Sequence, residues 1–185
     1  SLINKHGIQK LSKEQSKKIN TEKGAEIELG QFQQLTADNV SGLDENVFKA
    51  LIDRLGLNHL GNAAFGAINK VKVAQIDATQ GGNIQDAQLV LLPPDVFADL
   101  PVSTFEALSQ TCYEGITDAQ AKKVTGDMAA SLDANRALWC IGVLHKVNNA
   151  HYSKINKDEM KGAIKGYVTA HPRNAPAHFN GGHFA

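Results

Sequence analysis

Few residues of this chain are of types that do chemistry, and they are scattered. Cys112 and Cys140 are its two cysteines. Neither stands in a CxxC pair, the spacing that builds zinc or thioredoxin-like sites. They form either one disulfide or two buried thiols, and a bridge needs their Cα atoms within ~7 Å. Asp95, Asp99, Glu106, His145 and His151 are the acid–base candidates. No HExxH, P-loop or nucleophile-elbow spacing surrounds them. His171, His178 and His183 are metal-ligand types, but their irregular spacing matches no ligand template. The expectation is a chain with no catalytic residue, no cofactor and no metal. Asn39-Val40-Ser41 is a glycosylation sequon, which makes Asn39 a candidate modification site and points to secretion.

Charge excludes further classes. The 185 residues carry 19 Lys and Arg against 19 Asp and Glu, and the isoelectric point is about 7.0. Phosphate backbones and anionic membrane surfaces both attract basic proteins, so no nucleic-acid partner is expected, and no apolar run approaches the ~20 residues of a span, so no membrane insertion is expected. Lys5, Lys10, Lys13, Lys17, Lys18 and Lys23 make the first segment mildly basic. They read as solvated outward side chains. Residue 1 is Ser and no signal-peptide pattern follows it, so the chain is expected to be a processed or excised piece.

The elements that must position these residues follow an eight-residue period. Aliphatic residues recur at Ile3, Leu11, Ile19, Ile27, Leu35, Leu43 and Leu51. One residue is then inserted. Ile52 restarts a series through Leu60, Ile68, Ile76, Ile84, Leu92, Leu100, Leu108, Ile116, Val124, Leu132 and Cys140. A one-residue contraction leads to Val147 and Ile155. Numbered from this aliphatic position one, position two is mostly Ser, Thr, Asp or Asn, the helix N-cap types. Asn4, Ser12, Asn20, Thr36, Asp44, Asp53, Asn69, Asp77, Ser109, Thr117, Thr125, Asp133, Asn148 and Asn156 occupy it. Ser12 with Gln15 and Thr117 with Gln120 have the spacing of capping boxes, as more loosely do Asp77 with Gln80 and Asn156 with Glu159. Position six is again apolar, as at Phe32, Phe48, Phe65, Phe97, Phe105 and Tyr113. Positions one and six are then the two halves of a hydrophobic staple.

Each octad therefore encodes one capped, stapled helix start. A helix of five or six residues cannot persist alone, because nucleation is costly. The predicted fold is all-α: an α-solenoid or superhelix of very short capped helices over residues 1–168, followed by an irregular C-terminal tail over 169–185. Segments 44–55 and 134–147 lack breakers and are expected to be true helices. Gly81-Gly82 reads as an interruption, and residues 121–137 as a region of small staple partners. Trp139 reads as core.

Units such as LSKEQSKK, LTADNVSG, LPPDVFAD, LPVSTFEA and ITDAQAKK resemble the short helical repeats of the mesothelin–stereocilin–otoancorin group, which run in phrases of the L-[ST]-P-E-x-[LVF] kind. The resemblance implies an extracellular or cell-surface superhelix without catalysis, used for adhesion or matrix contacts. The chain departs from that pattern in its few Pro-Glu pairs, few cysteines and His-bearing tail, and no functional residue carries over. The expected function is thus a secreted or surface repeat module for protein binding or structural assembly. An octad beginning at Ile3 without a polar cap adds head-to-tail self-association as a sharper form. A secreted effector or toxin binding a host protein is the alternative, and a small hydrolase a third reading.

Overall fold

A computed structural model describes residues 7–171. Among the described residues there are eighteen α-helices and two 3-10 turns, with no strand. Most helices have four to six residues; Glu45–Leu55 and Lys157–Ala170 are longer.

One octad shows how the unit is built. The Asp77 side chain accepts the Gln80 backbone N–H at 3.0 Å and starts the helix Ala78–Gly81. Gly82 leaves the helix, and the Ile84 N–H closes on the Gly81 carbonyl at 3.1 Å. Ile84 then opens the next octad. The same cap is made by Ser12, Asn20, Thr36, Asp44, Asn69, Ser109, Thr117, Thr125, Asp133, Asn148 and Asn156. Pro93 and Pro101 stand at the cap of their helices, where a missing N–H costs nothing. Asp53 departs from the expectation. It lies inside Glu45–Leu55 and pairs with Lys49 instead.

Both staple positions are buried. Position one is at most 8% exposed from Leu11 to Ile155, and position six is at most 1% exposed from Phe32 to Phe105 wherever it carries an apolar side chain. Burying a side chain of this size stabilises by roughly 1.5–3 kcal/mol, and each octad does it twice. In mid-chain the position-six rings touch in sequence. Phe97 meets Phe105 edge-on at 6.1 Å, and Phe105 meets Tyr113 at 5.2 Å. The Tyr113 hydroxyl donates to the Phe105 carbonyl at 2.7 Å. Trp139 packs at the edge of this column, 5.9 Å from Tyr113, and is only partly buried. Ala121, Ala129 and Ala137 are buried as the small staple partners.

The helices pack on those three elements away. Ala78–Gly81 packs against Val102–Glu106, and Gln110–Glu114 lies between Asp86–Leu89 and Ala134–Trp139. Position five sets this spacing. Asn39 Nδ2 donates to the Leu11 carbonyl at 2.8 Å. Gln80 Nε2 donates to Ile52 and Gln88 Nε2 to Leu60, each at 2.9 Å. Thr104 Oγ1 donates to Ile76 and Cys112 Sγ to Ile84. Gln120 Nε2 donates to Leu92 at 3.1 Å. In every case a position-five side chain reaches a position-one carbonyl 28 residues earlier. Three of these amides work at both ends. The side-chain oxygens of Asn39, Gln88 and Gln120 accept the N–H of their own caps, Thr36, Gln85 and Thr117. Their nitrogens stitch to the neighbouring layer.

The slips in the octad are absorbed. Gly56, with φ +85°, takes position five after the insertion and offers no side chain. Arg54 Nη2 donates to the Ile27 carbonyl at 2.7 Å instead. After the contraction, His151 Nδ1 meets the Val124 carbonyl at 2.8 Å, now 27 residues back.

Four expectations need correction. The segment 134–147 is two helices, Ala134–Trp139 and Ile141–Leu144, broken at Cys140 with φ −100° and ψ 17°. Gly81-Gly82 does not interrupt the repeat. Gly81 takes position six, where an added Cβ would lie 2.7 Å from the Thr104 carbonyl of the next layer. The looser capping boxes do not close. Gln80 spends its amide on Ile52 and Leu57, and Glu159 Oε2 accepts the Ala134 N–H at 2.7 Å. The repeat also does not hand over to an irregular tail at 169. Lys157–Ala170 is one helix, packed on Ala134–Trp139 through Gly162 and Gly166. The rest of the expected tail, and Ile3 and Asn4 at the other end, lie outside the described residues.

Two substitutions test this register by urea denaturation. Gln120→Met leaves the buried Leu92 carbonyl without a donor, while Leu89 keeps the Leu92 N–H, and is expected to cost about 1–3 kcal/mol. Gln15→Met removes the same kind of cap from an exposed site and should cost no more than ~1 kcal/mol. Equal losses would rule out the interlayer role. Gly81→Ala should destabilise by about 1–3 kcal/mol through overpacking. Gly30→Ala, with open space around its Cβ, should stabilise by roughly 0.5–1 kcal/mol.

Candidate functional site

Structural partners occupy most of the residues singled out for chemistry. Asp95 pairs with Lys123 at 2.6 Å, which holds its carboxyl below the usual range. Asp99 pairs with Lys70 at 3.0 Å. At Glu106 it is the backbone carbonyl, not the carboxylate, that accepts Arg136 Nε, at 2.9 Å. His151 belongs to the position-five row and is half-buried, with its Nδ1 against the Val124 carbonyl. His145 is likewise half-buried. His171 caps the last helix and stacks on Tyr167 at 4.5 Å. His178 and His183 lie outside the described residues. Among the described residues no three His, Cys, Asp or Glu side chains gather as a metal group. No helix there is long and apolar enough to cross a membrane.

The two cysteines are free thiols, which corrects the disulfide alternative. Cys112 Sγ points to the Ile84 carbonyl at 3.1 Å, while Cys140 Sγ points to the Arg136 carbonyl at 3.2 Å. Each thiol is engaged with a different stretch of backbone. Burial raises the pKa of both; that of Cys140 is pushed up to about 12.

Asn39 is likewise removed as a glycosylation site of the folded chain. It is fully buried, and the nitrogen that would carry a glycan donates to the Leu11 carbonyl and to Ser16 Oγ at 3.1 Å. A sugar there would have to displace the preceding layer.

Lys72 is a residue whose site the sequence reading missed. It occupies position five and is 4% exposed, the one charged residue among the buried side chains described. Burial lowers its pKa below the usual lysine value, opposed by the nearby Glu45 and Asp44 carboxylates. The signal lay in the repeat itself: a lysine in a row whose other members, such as Gln80 and Gln88, turn inward.

Alkylation followed by mass spectrometry checks the thiol assignment. For Cys140, a rise from 9.0 to about 12 cuts the thiolate fraction near pH 8 roughly a thousandfold. Both cysteines should resist iodoacetamide in the native chain and both should react after unfolding without any reductant. A species that takes up label only after reduction would refute it.

No family model matches the chain, and neither does any curated protein or solved structure.

Proposed function

We propose that the chain is an α-solenoid of very short helices that serves as a non-catalytic binding or structural module for other proteins. The 28-residue register carries this reading. Six polar side chains at position five (Asn39, Gln80, Gln88, Thr104, Cys112 and Gln120) donate to the backbone of the layer before them. Stability built from such nearest-neighbour ties lets a repeat extend its surface layer by layer without a new core. The outward positions are then free to vary, which suits contact with a macromolecule.

The partner is proposed to be a different protein rather than another copy. In later octads position five faces the preceding layer. In the first layer that position is Gln15 and Lys23, both exposed, with Glu14 and Glu22 exposed beside them. Solvated charged side chains at this position are costly to bury against another copy. The extracellular or cell-surface location rests on the repeat resemblance, since neither a disulfide nor an open sequon supports it.

Affinity capture on the immobilised chain, from extracellular fluid and from cytosolic extract, tests the reading. The expected result is saturable retention of a protein from the extracellular fraction. Light scattering should return a single monomer mass at all concentrations. Retention of nothing from either source, or a mass that climbs with concentration, would count against it.

A further inference from the structure

The helices Asn62–Phe65, Asp86–Leu89, Gln110–Glu114 and Ala134–Trp139 pack on one another in that order. The octad runs through them without a slip, so each position recurs at the same place on the stack. Two glycines show how neighbouring layers meet at positions seven and eight. An added Cβ at Gly66 would lie 3.7 Å from the Leu91 Cβ, and one at Gly82, in the adjacent stack, 3.5 Å from the Ala107 carbonyl. In both cases position seven meets position eight of the next layer, 25 residues on (66 to 91, 82 to 107). The same step brings Val90 to Gly115 and Glu114 to Trp139. The Trp139 ring agrees, lying 5.9 Å from that of Tyr113, the residue before Glu114. Gly66, Leu91, Val90, Gly115, Glu114 and Trp139 therefore form one strip across four layers.

The centre of the strip is apolar and open. Val90 and Leu91 are 41% and 38% exposed, the only consecutive pair among the exposed large apolar residues described. Gly115 holds position eight between Leu91 and Trp139, so a gap separates those two side chains. The Asp86 Cβ borders it, 3.8 Å from where a Gly115 Cβ would stand.

The charges on this stack have one sign in excess. Its octads, 60–67, 84–91, 108–115 and 132–139, hold a single cation, Arg136, and that is paired with Asp133 at 2.5 Å. Asp86 and Glu114 are exposed, and neither stands in any ion pair among the described residues. Glu114 accepts only the neutral Gln110 amide, at 2.7 Å. On the neighbouring stack the acids are answered, Asp99 by Lys70 and Asp95 by Lys123. An apolar centre with a charged rim is the usual anatomy of a protein contact, and the rim selects the sign of its partner.

We propose that this strip binds a basic protein segment, which lays an aliphatic or aromatic side chain over Gly115 between Leu91 and Trp139 and sets Lys or Arg against Asp86 and Glu114. The proposal rests on the protein-binding reading above and names its site and partner chemistry. Trp139 is the sole tryptophan and so reports directly on the strip.

The full chain is titrated with a short peptide carrying Leu and Phe flanked by Lys, and with its Glu-for-Lys counterpart. The Lys peptide should shift Trp139 emission saturably, and more weakly as salt rises. Asp86→Asn combined with Glu114→Gln should weaken it about fivefold or more. Leu91→Ser, at an exposed position, should weaken it by a similar factor. Helical circular dichroism should be unchanged in both variants. Equal binding of the two peptides, binding of neither, or wild-type affinity in either variant would overturn the proposal. Binding only after removal of residues 172–185 would overturn it in favour of the chain's own terminus as occupant. A concentration-dependent Trp139 shift without peptide would do so in favour of a second copy. Capture of the same extracellular partner by wild type and by the Asp86→Asn, Glu114→Gln variant would sink this surface while leaving the binding reading intact.

Discussion

A carbonyl that its own helix cannot use is the constraint on which the rest of this structure depends. The position-one residue closes one short helix with its N–H, and its C=O then falls between that helix and the next cap. The side chain beside it is buried to staple the turn, so the carbonyl is drawn away from water. An unpaired buried carbonyl costs roughly 1–3 kcal/mol. In six octads a position-five side chain from 28 residues further on supplies the missing donor. The same spacing holds where position five is apolar, as at Val47 and Val96, so these bonds reinforce a register that the buried staple residues also keep.

This explains the chemical variety of position five. Gln88 and Gln120 reach the carbonyl while capping their own helix, because an amide has both an acceptor and a donor. Thr104 and Cys112 reach it with a single donor and leave the cap to other groups. Where Gly56 offers nothing, Arg54 reaches across. Gly81 shows the complementary device: with no side chain at position six, the backbone of the next layer comes close enough to fill the gap.

Charge follows the same register. Between residues 73 and 121 every charged side chain is acidic. Lysines from outside that stretch answer four of them: Lys49 to Asp77, Lys70 to Asp99, Lys123 to Asp95, and Lys146 to Asp118. These pairs are exposed and each contributes at most ~1 kcal/mol. Their spacing of 28 or 29 residues repeats that of the buried ties. The neutrality of the chain is therefore assembled between layers, while the C-terminal end keeps a basic excess.

The octad, the caps and the staple were legible in the sequence because each is a local interaction within eight residues, as Asp77 on Gln80 shows. The all-helical class followed from them. What lies 28 residues away was not legible. Gln120 reads as a capping residue; only packing reveals that its amide nitrogen is committed to Leu89 and Leu92. Asn39 reads as a glycosylation site until the layer before it buries the same nitrogen. Cys112 and Cys140 were open between bridge and thiol, and the backbone carbonyls each one faces decided it. Cap and staple chemistry is written in neighbouring residues. The fate of a buried polar atom depends on which distant segment packs against it, and that is settled only when the layers come together.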